Sequence, residues 1–292
     1  MVLPDIHANL PDVPVSLNRV GITDLKKVIN TGKTSFTATI DLFADLRADR
    51  KGINLSRNLE AVNELVESVP SKSDAELLCA GIARKLLEKH EEAERVEANL
   101  KARVKVDFEF DLIGSAVAYR KKGESPLIKK AIGAEVVGIT VCPCAQELVK
   151  EYSRGILQKK GIDPKILDEL PIASHNQRSV GTLIVETDEN ERVDAAELAK
   201  IVRDSMSAPV SGLLKRPDER DLIIQAHANP KFVEDCVRGM LARVAKLNLS
   251  DDAVVIAKQK NYESIHEHNA YAERTVKFAD LKKELKGNGS RN

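Results

Sequence analysis

No stretch of this 292-residue chain stays apolar for the roughly 20 residues a membrane-spanning helix requires, which argues against a helical membrane protein. It has no long proline, glycine or serine tract, so nothing marks an extended disordered tether. Its four cysteines (Cys79, Cys142, Cys144 and Cys236) are too few and too irregularly spaced for a disulfide scaffold, and a chain of this size needs none. A reducing compartment is expected. Net charge is absent as well: 45 Lys plus Arg against 45 Asp plus Glu leave no global field to draw nucleic acid or an anionic membrane. The opening residues, interrupted by Pro4, Asp5, His7 and Asp12, lack the basic flank and apolar core of a secretory signal. Together these absences predict a cytoplasmic protein whose partners include neither nucleic acid nor membrane. Two missing motifs narrow the chemistry. There is no Walker-type Gly-rich phosphate loop, and no His-x-Glu with a paired Cys-x-x-Cys of the zinc nucleoside deaminases.

What is present describes a soluble globular protein, 42% hydrophobic and 31% charged, long enough for two packed domains or one large two-module unit. Residues 15–29 and 35–46 have strand composition, with a turn expected at Thr31-Gly32. Apolar residues at helical spacing mark 54–69 (Leu55, Leu59, Val62, Leu65, Val66) and 74–90 (Leu77, Leu78, Ile82, Leu86, Leu87). Strict alternation over 104–112 predicts one strand there, and 132–141 a second that ends at a cysteine pair. The first half therefore reads β-β-α-α-β-β. After a helix over 146–160, the second half is expected to echo that order, with a strand over 179–186, helices over 195–206 and 231–247, and strands over 253–260 and 270–278.

Five short constellations carry the chemistry. Cys142-Pro143-Cys144 would put both thiols on one face if the strand continued, but the intervening proline predicts that the strand ends and the thiols diverge. His175-Asn176-Gln177-Arg178 packs an imidazole, amides and a guanidinium before a strand, against the alternative of a solvated loop. In Lys215-Arg216-Pro217-Asp218-Glu219, the two carboxylates suit a first helical turn as well as a site. Glu234 is either on a solvated helix face or a half-buried carboxylate. Glu263-Ser264-Ile265-His266-Glu267-His268 holds two of only six histidines, able to bind metal, shuttle protons or contact phosphate. Thiol, imidazole and carboxylate together are the ligand types that hold a catalytic divalent metal with a position open for water.

In order and wording, these motifs resemble the type IB GTP cyclohydrolases over about residues 4–278. The opening Leu3-Pro4-Asp5-Ile6-His7 and the long segment between the cysteine pair and His175 resemble the archaeal branch, which serves methanopterin synthesis. The resemblance implies an α+β fold of two tandem tunnelling-fold modules, 1–128 and 129–292, each an antiparallel sheet with paired helices on one face. It implies a homotetramer with sites at module or subunit interfaces, most site residues lying in the second module. By position, Cys142, His175 and Glu219 become metal ligands, with Cys144 an open second thiol. Glu234 anchors guanine, because a carboxylate offers only acceptors. His266 and His268 lie beside the imidazole ring and ribose, and Glu263 orients them or exchanges protons with them. Arg178, Lys215 and Arg216 are assigned to the phosphates on charge grounds.

The implied cofactor is one divalent metal per site, iron(II) by the archaeal resemblance, with manganese(II) or zinc(II) also suited to a mixed S, N, O set. The implied reaction opens the guanine imidazole ring of GTP, releases formate and gives 7,8-dihydroneopterin 2′,3′-cyclic phosphate for tetrahydromethanopterin. Three alternatives stay open at this level: a triphosphate product for folate-type pterins, a related tunnelling-fold enzyme acting on a pterin or purine, and a non-catalytic metal-binding protein.

Overall fold

Strand alternation and helical spacing set up an α+β architecture of antiparallel strands with helices packed on them. It is seen in a computed structural model that describes residues 5–30, 35–66, 75–121 and 123–288. The expected Thr31-Gly32 turn, the opening through Pro4 and the inner ends of the first two expected helices lie outside those residues. The chain divides into two compact units, residues 1–133 with 184–196, and residues 134–183 with 197–292. Among the described residues there are seven α-helices, and none is long and apolar enough to cross a membrane.

In the first unit, β1 (Leu17–Asn30), β2 (Ser35–Leu46), β3 (Arg95–Lys105) and β4 (Glu109–Tyr119) form an antiparallel sheet in that order. Every second residue of β2 and β4 is buried, among them Ile40, Leu42, Phe110 and Leu112. That face meets α1 (Ser56–Val66) and α2 (Ala75–Lys89), whose Val62, Ile82 and Leu86 are fully enclosed. The single strand expected over 104–112 is corrected here. Residues 106–108 form a hairpin turn, with Val104 paired to Phe110 and Lys105 to Glu109, while Val106 is 53% exposed. A three-residue loop preserves even–odd parity across the turn, so the alternation runs through it unbroken.

One buried polar group in this unit couples stability to pH. His90 is 5% exposed, and its Nε2 lies 2.7 Å from Asn58 Oδ1, whose amide nitrogen in turn donates to Leu42 O. Burial, with a smaller contribution from nearby Arg57, pushes the imidazole down to about 4. Between that value and the ordinary 6.5 the unfolded chain binds the proton and the folded chain does not. Stability is therefore complete above pH 6.5 and falls as the pH drops toward 4, by an amount on the order of 3 kcal/mol. Urea unfolding at pH 7 and pH 4.5 should show this loss, and His90→Gln should flatten it; an unchanged slope in the variant would assign the loss to other groups.

In the second unit, β5 (Leu127–Val141), β6 (Asn176–Asp188), β8 (Val254–Asn261) and β9 (Ala270–Lys277) follow one another in the sheet. Short β7 (Ala208–Pro209) pairs with β5, and β8 and β9 are antiparallel. Both β5 and β6 also contribute residues to the first unit. Between β5 and β6 stand α3 (Pro143–Lys159) and a 3-10 turn, Pro164–Asp168. Between β6 and β8 stand α4 (Ala195–Arg203), α5 (Arg216–Ala228) and α6 (Val233–Val244), and α7 (Phe278–Asn288) follows β9. Of these, α5 and α7 were not anticipated as full helices. A Cβ at Gly181 would lie 2.5 Å from Val202 Cγ1 and 2.9 Å from Gln259 Oε1, so only glycine lets β6 approach α4 and β8 this closely.

Candidate active site

The polar end of the second unit is built where β5 stops. Pro143 has no N–H to continue the ladder and begins α3, making Cys142 the cap of that helix, with its Sγ accepting from Ala145 N at 3.5 Å. The two thiols part as a result: Cys142 is partly buried and Cys144 is exposed. Cys142 N donates to His175 O at 3.2 Å, and Ser174 Oγ donates to Cys142 O at 2.6 Å. Two backbone-directed hydrogen bonds thus lock the cysteine beside the histidine, independently of either side chain's chemistry.

Period two on β6 puts Gln177 and Ser179 on one face with His175 and turns Arg178 away, into solvent. Gln177 Nε2 lies 3.0 Å from Thr140 Oγ1 and 3.4 Å from Glu263 Oε1, while its oxygen lies 3.1 Å from His175 Nδ1. Thr140 and Ser179 join their hydroxyls at 2.6 Å. Glu263 Oε2 stands 3.6 Å from His175 Nδ1, and the two side chains are only 10% and 9% exposed. Tyr262 N bonds Arg178 O at 3.0 Å, fixing the segment after β8 to the start of β6. From that segment His266 meets His175 edge-on, centroids 6.1 Å apart at 89°, and His268 stacks on His266 at 5.3 Å and 21°. Both later rings are exposed.

The remaining site residues inferred from sequence stand elsewhere on this unit. His227, near the end of α5, sets Nε2 3.4 Å from Ser174 O, so that end of the helix reaches the Cys142 corner. Glu219 lies eight residues earlier on α5, about 12 Å along the axis at a helical rise of about 1.5 Å per residue, and is exposed. Lys215 and Arg216 are exposed at the start of the same helix, where Asp218 accepts from Lys215 N at 3.1 Å. Asp218 therefore serves the helix start. Glu234 is exposed in the first turn of α6.

Gln177, quoted in the sequence only as part of the run after His175, and three residues given no role there, Ser179, Thr140 and Gln146, help to build the corner. Gln177 and Ser179 share His175's parity on β6, a signal readable in the sequence. Thr140 carries a comparable parity signal on β5, two residues before Cys142. Gln146 could not be found that way: its amide donates to Ile172 O at 3.1 Å and His227 O at 2.7 Å, tying α3 to the His175 segment and to α5.

Among the described residues, no three His, Cys, Asp or Glu side chains gather as a metal-holding group. Cys142 and His175 nevertheless fit the first two positions in kind. A soft sulfur and an imidazole whose Nδ1 is occupied by Gln177 share one corner, which leaves Nε2 as the available donor. Among the described residues, no third such donor gathers with them.

The family description that matches residues 3–272 is type I GTP cyclohydrolase folE2. The GTP cyclohydrolase MptA of Methanobrevibacter smithii is 41% identical, over 97% of this chain and 98% of the relative. The GTP cyclohydrolase MptA of Methanoregula boonei is 40% identical, over 98% of this chain and 94% of the relative. Among solved structures, a uricase from Bacillus fastidious superposes with a TM-score of 0.55 at 9% identity, over 92% of this chain and 96% of that one. The last is a likeness of fold alone.

Proposed function

The chain belongs to the type I GTP cyclohydrolase family, and from that premise we propose that it opens the guanine imidazole ring of GTP, releases formate, and forms 7,8-dihydroneopterin 2′,3′-cyclic phosphate for tetrahydromethanopterin biosynthesis, with diphosphate leaving as the α-phosphate closes onto the neighbouring hydroxyl. The observation that carries the reading is the corner where Cys142 is bonded to His175 through the backbone and His266 stands edge-on to that imidazole. We place the chain in the archaeal branch of the type IB enzymes. The fold likeness to a uricase supports a tunnelling fold. On the sequence resemblance alone we further propose two modules, 1–128 and 129–292, in a cytoplasmic homotetramer.

In this reading Cys142 and His175 hold one divalent ion, iron(II) first, with manganese(II) or zinc(II) able to replace it. Glu219 is exposed and about 12 Å along α5 from the corner, so we assign it to the same type of site on a neighbouring subunit. When bound, the ion supplies Lewis acidity that makes water nucleophilic near neutral pH. The chain's own side chains do the rest. Glu234 accepts from the guanine N–H groups, His266 delivers a proton to the ring nitrogen released when water adds to C8 and the ring opens, a second water then frees C8 from the remaining nitrogen as formate, and His268 backs His266 by stacking. Glu263 faces His175 and Gln177, a position suited to orienting rather than to direct attack. Arg178, Lys215 and Arg216 are solvent-facing cations available to the phosphate chain.

The test is anaerobic incubation of GTP with the metal-free protein and each of the three ions in turn, with formate quantified and the pterin weighed by mass spectrometry. A cyclic phosphate is expected; a triphosphate product would move the enzyme to folate-type pterins, and no formate would end the proposal. Discrimination against ITP, which lacks the exocyclic amine, tests the guanine anchor. Glu234→Ala should raise KM for GTP about 10- to 100-fold, the scale of a lost hydrogen bond to a charged group, with a smaller change for ITP. An unaltered GTP-to-ITP ratio would remove Glu234 from that role.

A further inference from the structure

The Gln177 amide sits among partners of unequal chemistry. Its nitrogen faces Glu263 Oε1 and Thr140 Oγ1, and its oxygen faces His175 Nδ1. A carboxylate only accepts, so the edge toward Glu263 has to be the NH2, and the opposite edge is then the carbonyl. That carbonyl accepts, so the proton of the neutral imidazole sits on Nδ1 and the lone pair on Nε2. Reversing the amide would set its oxygen against the Glu263 carboxylate, a repulsion that neither tautomer of His175 relieves. Gln177, Thr140 and Ser179 are all buried, so water is poorly placed to relieve such a clash.

We propose that Gln177 is a positioning residue that fixes His175 as its Nδ1–H tautomer, through an amide whose sense is dictated by the Glu263 carboxylate. The functional consequence, an Nε2 lone pair turned to an ion, rests on the proposed function; the tautomer itself is a property of the metal-free chain. Glu263 accordingly acts on His175 through Gln177 as well as directly across 3.6 Å.

The experiment uses the full-length, metal-free protein labelled with 15N-histidine, its two-bond 1H–15N correlations assigned with a His175→Asn reference. Wild type should show His175 as Nδ1–H, and Gln177→Ala should shift it to Nε2–H or a mixture. The double exchange Gln177→Glu with Glu263→Gln swaps amide and carboxylate. It should return the Nδ1–H form, because an acceptor again faces Nδ1 and a donor again links the two side chains. Cobalt(II) titration, read by its thiolate absorption, should show affinity about 10- to 100-fold weaker in Gln177→Ala and largely recovered in the exchange. Retention of Nδ1–H in Gln177→Ala, or its failure to return in the exchanged protein, overturns the proposal. Correct tautomers throughout with no cobalt uptake by any variant would uphold the positioning role and overturn the metal reading instead.

Discussion

Cys142→Ala and His175→Ala should each lower formate release from GTP about a thousandfold or more, since each removes a donor from the proposed ion, which would contribute several kcal/mol to the transition state. Neither change should unfold the chain. Cys142 is held by its backbone, through His175 O and Ser174 Oγ, and its sulfur contributes only a 3.5 Å cap contact worth roughly 1 kcal/mol. Circular dichroism and the oligomer mass should match wild type, and a metal-stripped variant at full turnover would defeat the assignment. The position of Glu219 adds a sharper test. If it serves a neighbouring subunit, co-expressed Cys142→Ala and Glu219→Ala chains, each inactive alone, assemble some sites with an intact cysteine from one chain and an intact glutamate from the next. Random assortment makes these about a quarter of the sites, so activity should recover to about that share. Mixed oligomers verified by mass that stay inactive would take the neighbour role from Glu219.

Much of this corner was legible in the sequence, because the relevant signals are local. Pro143 alone foretold that Cys142 and Cys144 would separate, since a residue without an N–H cannot extend the ladder and favours a helix start. Asp218 could be read as a helix-start carboxylate from its place one residue after Pro217, and it proves to cap Lys215 N. The hairpin at 106–108 was illegible for a definite reason: its odd length leaves the inward residues in phase, and alternation reports faces, not turns. The separation of Glu219 from Cys142 was equally hidden. It depends on which end of α5 reaches Ser174, a tertiary contact made by His227 that no spacing along the chain encodes. Glu263 shows the same limit. Its motif places it with His266 and His268, yet its carboxylate faces His175 and Gln177.

That reorientation of Glu263 determines what His266 has to do alone. With the carboxylate committed to the buried side, it is not positioned to hold or recharge the His266 proton, and His268 lies nearly parallel at 5.3 Å, a stacking geometry rather than an in-plane hydrogen bond. His266 is exposed, so in its proposed role its proton would be replenished from solvent. His266→Ala should therefore lower kcat about 10²- to 10⁴-fold, the scale of a lost general acid, while KM for GTP changes little. Because the vacated position opens to solvent, imidazole added to the assay should restore part of the loss, in proportion to its protonated fraction. His268→Ala removes only the stacking partner and should cost less than His266→Ala. Single-turnover formate release at several imidazole concentrations separates these expectations. A His266→Ala enzyme with unchanged kcat, or with a raised KM alone, would show that this ring binds substrate without delivering the proton.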